Sequence, residues 1–164
     1  MDSLIDPKTA INTAKLISTG SSLFLTGYAL SFSWNTFPAL YDVRPQMSAP
    51  VFKQVINSAG QIIPPFTLLS IATSAYVAYY HPQQRQEWTT AAIAMALTFP
   101  WTGLVMAKGT SRLQTIAMDE KVKRKSEQNL EHRQLLIRWV KQNWIIIALQ
   151  AVSGVVALKA IAEA

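Results

Sequence analysis

Four long stretches of the chain contain no Asp, Glu, Lys or Arg, and charged segments separate them. They are Leu16–Tyr41, Gln54–Gln84, Trp88–Ala107 and Gln142–Leu158. A helix needs about 20 mostly apolar residues to cross the roughly 30 Å hydrocarbon layer of a bilayer. Three stretches reach this length, and the fourth reaches it if its flanking basic side chains extend to the interface. The pattern predicts four transmembrane helices.

Prolines, glycines and polar links set the expected helix limits. Three prolines within residues 35–58 predict an irregular connection, because proline lacks a backbone donor and disfavours helix before it. Pro100 predicts a kink, Gly109 predicts a helix end, and the polar run that follows predicts an amphipathic basic hairpin. We expect an all-α integral membrane four-helix bundle, with this hairpin between helices 3 and 4, as a single domain over residues 1–164. The helices are expected at about 15–34, 59–80, 88–108 and 135–161.

The charge of the chain is unevenly distributed. The net charge is +6, and nine of the fifteen Lys and Arg residues fall between Lys108 and Lys141. These residues adjoin two expected membrane helices, so anionic lipid headgroups are the expected partner and nucleic acid is not. The positive-inside rule then predicts a cytosolic basic hairpin and lumenal termini, in the endoplasmic reticulum or another endomembrane. The acidic start of the chain does not fit a signal peptide, so we expect the first helix to be retained.

Metal chemistry has few candidate ligands in this sequence. There is no cysteine, and the only histidines are His81 and His132. The expected topology puts them on opposite sides of the membrane, where they cannot share one ion or one haem. Glycine-rich phosphate-binding motifs are also missing. We expect no metal site and no cofactor.

Helix 4 carries the strongest candidate site. Trp139, Asn143, Gln150 and Gly154 follow a spacing that places them on one stripe of the helix. Amides at bilayer depth need partners, so the stripe should face the interior of the bundle. One interpretation is helix packing, with Gly154 allowing close approach. The other makes Asn143 a catalytic hydrogen-bond donor to a carbonyl or enolate, Trp139 a stacking wall, and Gln150 a substrate contact.

Helices 1 to 3 supply further candidates. Pro100-Trp101-Thr102 predicts a kink beside an indole N–H and a hydroxyl. The kink either marks a joint between helices or opens a pocket between them. On this second interpretation Thr102 is catalytic and Trp101 binds substrate. The remaining substrate-binding candidates are Tyr28, Trp34 and Gln61.

Small and aromatic residues predict two packing features. Gly20 and Gly27 lie seven residues apart on helix 1 and predict close helix contact. Tyr79, Tyr80 and Trp88 bracket a short link and predict an aromatic belt at the membrane interface.

Four motifs, in order, resemble the anthrone oxygenase-like membrane family, formerly domain-of-unknown-function family 1772. They are Ser31-Phe-Ser-Trp-Asn-Thr-Phe-Pro38-Ala-Leu40; Gly60 with Pro64; Pro100-Trp-Thr102 with Val105-Met106 and Leu113; and Arg138-Trp139 with Asn143. In the family the last motif usually continues to an arginine, where this sequence has Ile146. An asparagine expected after Val-Met is replaced by Ser111.

The resemblance implies a four-helix membrane enzyme of secondary metabolism that oxidises an anthrone with dioxygen and no metal. A pocket that stabilises the enolate would raise the fraction of carbanion that reacts with dioxygen. The missing arginine leaves a cofactor-independent isomerase or cyclase in the same kind of pathway as an alternative. A second alternative is a non-catalytic membrane scaffold that uses the basic segment Lys121–Lys125. The expected partners are a hydrophobic small-molecule substrate and membrane lipid, and a homo-oligomer is left open.

Overall fold

The computed structural model describes residues 6–163, and these residues are almost entirely helical, without a strand. The helices are α1 (Pro7–Ser31), α2 (Pro45–Tyr80), α3 (Arg85–Ala96), α4 (Thr98–Pro100), α5 (Ala107–Met118), α6 (Glu120–Gln128) and α7 (Glu131–Ala162). Two π-helical segments, Phe32–Thr36 and Trp101–Met106, continue α1 and α4. The all-helical class is confirmed.

Three helical stretches are long and apolar enough to cross a membrane: Pro45–Tyr80, Pro82–Met118 and Glu131–Ala162. These stretches indicate a membrane protein. Helix α1 forms where the sequence predicts the first span, but its many Ser and Thr residues make it less apolar than the other three. The fourth crossing therefore stays a prediction.

The chain packs as two compact units. Unit 1 takes the residues up to Gly27, Pro64–Thr98, and those from Ala148 onward. Unit 2 takes Tyr28–Ile63 and Phe99–Ile147. Each unit has its own apolar core, so each is described by itself.

Hydroxyl groups join the helices of unit 1. We call Ser18, Ser22, Ser70, Ser74 and Ser153 the serine cluster, and each of them is fully buried. The Oγ of Ser22 lies 2.8 Å from that of Ser70 and 3.1 Å from that of Ser153, while Ser18 and Ser74 pair at 2.5 Å. These bonds connect α1, α2 and α7, and they supply polar contacts of the kind that hold helices together where no hydrophobic driving force acts.

A second buried network in unit 1 involves Lys15. Its Nζ donates to Oε1 of Gln84 at 2.9 Å, and the Gln84 amide donates to the carbonyl of Ala160. Lys15 lies in the interior of α1, which begins at Pro7, so the expected helix start near residue 15 is wrong. Trp88 is fully buried beside Gln84 and donates to its Oε1 at 3.4 Å, so its ring packs inside unit 1, and the interfacial aromatic belt stays a prediction.

Glycine has a packing role at one of the three expected positions. A Cβ at Gly154 would lie 2.7 Å from Cδ2 of Leu23, so the absence of a side chain allows α7 to approach α1 within unit 1. A Cβ at Gly20 or Gly27 would meet nothing within 4 Å. The expected close contact at these two glycines is wrong, and the neighbouring serines make the contact instead.

The proline-rich connection folds differently from the prediction. Helix α2 already begins at Pro45, although an irregular segment was expected as far as residue 58. Proline is tolerated at the first helical position, where its missing N–H has no intrahelical acceptor. The buried residues Ser48, Ala49 and Phe52 recur at helical spacing, and their burial outweighs the bonds lost at internal prolines.

The region after Pro100 also departs from the expected limits. Its π-helical turns lead directly into α5, so Gly109 lies inside a helix and does not end one. Burial of Leu113 and Ile116 on one face of α5 explains the continuation. Asp119 then caps α6, accepting from the backbone N–H groups of Lys121 and Val122.

A turn at Leu130, which adopts a φ of 53°, connects α6 to α7. A branched residue rarely occupies this left-handed region, so the turn is held by its surroundings. We use the term basic region for residues 120–133, which comprise α6, this turn and the start of α7.

Candidate functional site

The core of unit 2 is built on four aromatic rings, the aromatic cluster: Phe32, Phe37, Phe52 and Trp139. The centroid of Trp139 lies 5.0 Å from that of Phe37 and 5.6 Å from that of Phe52, and both pairs meet edge to face. Phe32 lies 6.3 Å from Trp139. Such geometry adds about 0.5–1.5 kcal/mol per pair beyond the burial of area.

The π-helical turn after α1 positions two of these rings. The backbone N–H of Phe37 donates to the carbonyl of Phe32 at 2.9 Å, a bond that spans five residues. Pro38 follows and cannot donate, so the chain leaves the helix at this point. The wider turn brings both rings to the same side, with centroids 5.7 Å apart.

Three hydrogen bonds fix polar side chains around the aromatic cluster. Asn143, only 4% exposed, donates from Nδ2 to Oγ of Ser33 at 2.7 Å. The indole N–H of Trp139 donates to Oγ1 of Thr110 at 2.9 Å. The indole N–H of Trp101 donates to the carbonyl of Gln142 at 3.1 Å. Buried indoles and amides need such partners, and these bonds orient the side chains.

A cavity of about 370 Å³ lies in unit 2, between the connection after α1 and the basic region. Its polar lining comes from both segments: Tyr41, Asp42, Arg44, Glu127, His132 and Arg133. Tyr41 also packs against the aromatic core, so its ring is shared by the cavity wall and the cluster. The cavity combines an aromatic wall with cationic and hydrogen-bonding groups.

Long-range contacts hold the two sides of this cavity together. Arg133 Nε lies 3.3 Å from the Asp42 carboxylate, and the Gln46 amide donates to Glu127 at 2.8 Å. Burial raises the pKa of the Tyr41 phenol, while the charge of Arg133 opposes this rise. The phenol therefore stays neutral and can act as a donor at physiological pH.

A serine–histidine pair forms the deepest polar contact beside the cavity. Oγ of Ser48, fully buried on α2, lies 2.7 Å from Nε2 of His132, which is 2% exposed on α7. Nδ1 of the same imidazole is buried and has no hydrogen-bond partner among residues 6–163.

The structure brings only some of the sequence candidates together. Trp139, Asn143, Trp101 and Tyr28 lie in or against the core of unit 2. Gln150 lies in unit 1, fully buried, and neither of its amide atoms has a partner among the described residues.

The other three candidates lie at the surface of unit 2. Thr102 and Gln61 are exposed, and Trp34 is 68% exposed, with its ring against Trp144. Their assigned roles stay predictions.

Sequence reasoning missed several residues of this region. Ser48 and His132 are 84 residues apart, and no local motif links them. The prolines near Phe37 and Phe52 predicted an irregular segment and obscured the place of both rings in the core. The helical spacing of Ser48, Ala49 and Phe52 nevertheless indicates a helix with one buried face.

Comparison with known proteins assigns the family. The family model described as anthrone oxygenase matches residues 52–156, more than half of the chain. The chain belongs to the anthrone oxygenase family. No curated protein and no solved structure matches it. The matched range of this anthrone oxygenase family member includes Phe52, His132, Trp139 and Asn143.

One position distinguishes this member of the anthrone oxygenase family. Ile146, which stands where the resemblance leads us to expect an arginine, is 7% exposed and packs in the core of unit 2. An arginine there would be surrounded by apolar side chains. The cationic side chains that line the cavity of unit 2 are those of Arg44 and Arg133.

Proposed function

We propose that the protein is a membrane enzyme of secondary metabolism that oxidises a polycyclic, apolar anthrone-type compound with dioxygen and without a cofactor. The observation that carries this proposal is the family match over residues 52–156. It includes the ring of Trp139, the buried amide of Asn143 and one side of the cavity.

The chemistry requires no redox group on the protein. An anthrone loses a proton from its benzylic carbon because the resulting anion is aromatic. The anion transfers electrons to dioxygen and forms a carbon peroxide, which loses water to give the quinone carbonyl. The protein has to bind the substrate, accept a proton and stabilise negative charge on oxygen.

The cavity of unit 2 suits these tasks. Its volume of about 370 Å³ lies within the range of about 300–1,000 Å³ found for small-molecule sites. Tyr41 supplies an aromatic face and a neutral phenol donor, and Arg44 and Arg133 supply positive charge. In this proposal Trp139 and Asn143 shape the adjoining wall, since both are held rigidly by hydrogen bonds.

The membrane setting is part of the proposal. Helix α1 would supply the fourth crossing of a four-helix bundle, with lumenal termini and the basic region in the cytosol of an endomembrane. The Asp42–Arg133 and Gln46–Glu127 contacts support this topology, because they hold the connection after α1 beside the basic region. The basic region would contact anionic lipid, and the substrate would enter from the apolar phase.

The test is oxidation of an anthrone by membranes that contain the expressed protein. Consumption of anthrone should require dioxygen and should yield the quinone, well above the rate in membranes from an empty-vector strain. Trp139→Ala should lose most of this activity. The matched control is Trp144→Ala, five residues further along the same helix and 38% exposed, which should retain it. Equal rates with and without the protein would refute the proposal.

A second candidate, a cofactor-independent isomerase or cyclase, is favoured by the buried Ile146 in place of a cation. The same membranes distinguish the two activities. Turnover of a cyclisable precursor under argon, with no oxidation of anthrone in air, would establish the cyclase and exclude the oxygenase.

A further inference from the structure

The hydrogen bonds of Ser48 bear on which ring nitrogen of His132 carries the proton. The Ser48 hydroxyl lies 3.2 Å from the carbonyl of Val43 and 3.1 Å from that of Arg44. Both carbonyls can only accept, so we assign the single hydroxyl proton to them, and this assignment selects the tautomer of His132. Oγ of Ser48 then accepts from Nε2–H of His132, at 2.7 Å.

This arrangement leaves the lone pair of His132 on Nδ1. The neutral imidazole carries one proton, and that proton is on Nε2, so Nδ1 is an acceptor. Nδ1 is buried and finds no donor among residues 6–163. Buried acceptors are rarely left without a partner, so an external donor is expected at this atom. The imidazole lines the cavity of about 370 Å³, where such a donor can bind.

The charges around the cavity suit a substrate that becomes an anion. Asp42 is paired with Arg133, and Glu127 accepts from Gln46. The guanidinium of Arg44 makes no ion pair within residues 6–163 and remains available to an anion at the cavity. A base and an unpaired cation thus line the same cavity.

We propose that His132 is the general base of the oxidation and that Ser48 is its positioning residue. The inference rests on the function proposed above. Nδ1 takes the benzylic proton, and the electron pair of the C–H bond remains on the substrate as an enolate beside Arg44. Dioxygen then accepts electrons from the enolate. The imidazolium returns its proton as the carbon peroxide loses water, so the base is regenerated.

The pair has the composition of a nucleophilic serine and its base, but the roles are reversed. The Ser48 proton is assigned to backbone carbonyls and not to His132, so the imidazole does not activate its oxygen for attack. Ser48 orients the ring and selects the tautomer, as the third group of a catalytic triad does.

The decisive experiment separates proton removal from oxidation. Incubation of an anthrone in D₂O under argon measures deuterium exchange at the benzylic carbon, and incubation in air measures the quinone. His132→Gln keeps a donor for Ser48 but removes the base, and it should lose both activities by about 10²–10⁴-fold, the range of general-base catalysis. His81→Gln, in unit 1, is the matched control and should retain both activities.

Two further variants exclude a purely structural role. In His132→Ala, added imidazole should restore part of the deuterium exchange, which a packing defect would not allow. Ser48→Ala should lower kcat for exchange with little change in KM, because substrate still binds to a mispositioned base. Far-UV circular dichroism and the Tm should show that all variants are folded.

The outcomes distinguish the two proposals. Quinone formation at the wild-type rate by His132→Gln would overturn the assignment of the base and leave the oxygenase proposal intact. Deuterium exchange by the wild-type protein that His132→Gln lacks, with no quinone formed in air, would support the base and refute the oxygenase. Absence of both reactions in the wild-type protein would overturn both proposals.

Discussion

Gln150 offers a direct test of how polar groups are accommodated in unit 1. Its side chain is fully buried, and neither the nitrogen nor the oxygen of its amide has a hydrogen-bond partner within residues 6–163. A buried donor or acceptor without a partner costs about 1–3 kcal/mol. Methionine has a similar length and fills the same space without needing a partner. If the cost of only one of the two amide atoms is removed, Gln150→Met should raise the free energy of unfolding by about 1–3 kcal/mol.

The assay is thermal unfolding of the detergent-solubilised protein, followed by circular dichroism. At about 2–4 °C per kcal/mol for a chain of this size, the Tm of Gln150→Met should rise by several degrees. The matched control is Ser153→Ala, one helical turn away, where a hydroxyl bonded to Ser22 at 3.1 Å is removed. Its Tm should fall, because the lost bond is worth about 1 kcal/mol.

A fall in Tm for Gln150→Met that equals or exceeds the fall for Ser153→Ala would refute this reasoning. It would mean that the amide binds water or a ligand in the native protein. In that case the role predicted for Gln150 from the sequence, a substrate contact, would regain support.

Three other predictions test local features. Leu130→Asn should raise stability by about 0.5–1 kcal/mol in denaturant unfolding, because asparagine tolerates the left-handed backbone that leucine adopts at φ 53°; a loss would mean that its side chain holds the turn. Ser33→Ala, Asn143→Leu and the double variant should show a coupling energy of about 0.5–1.5 kcal/mol, as expected for one buried hydrogen bond; additive effects would contradict the contact. Ile146→Arg should abolish folded protein in gel filtration, since it buries an unpaired charge, whereas Ile146→Leu should not.

Much of the fold could be predicted from the sequence because transfer to the bilayer depends on local composition. The charge-free stretches predicted the helical class, and three of the four expected spans lie within stretches that are apolar enough to cross a membrane. Helix limits were less predictable. Pro50 and Gly109 are helix breakers by local rules, but burial of Phe52 and Leu113 in the core of unit 2 outweighs those preferences.

The candidate site was harder to predict because its contacts are not local. The stripe predicted on the fourth span, which lies in α7, correctly indicated that Asn143 and Trp139 face the interior, since amides in apolar surroundings need partners. Nothing in that stripe indicates Ser33, 110 residues away, as the partner of Asn143. The pairing of His132 likewise depends on where α2 begins, which the prolines obscured.

The serine cluster has a consequence for how α1, α2 and α7 assemble within unit 1. A hydroxyl reaches only one or two neighbours, so its bonds are satisfied at a single rotation of each helix about its axis. Turning one helix by a single residue, about 100°, would break its cross-links together. Apolar surfaces in lipid tolerate many rotations, and these serines therefore specify one register among arrangements that would otherwise be nearly equal in energy.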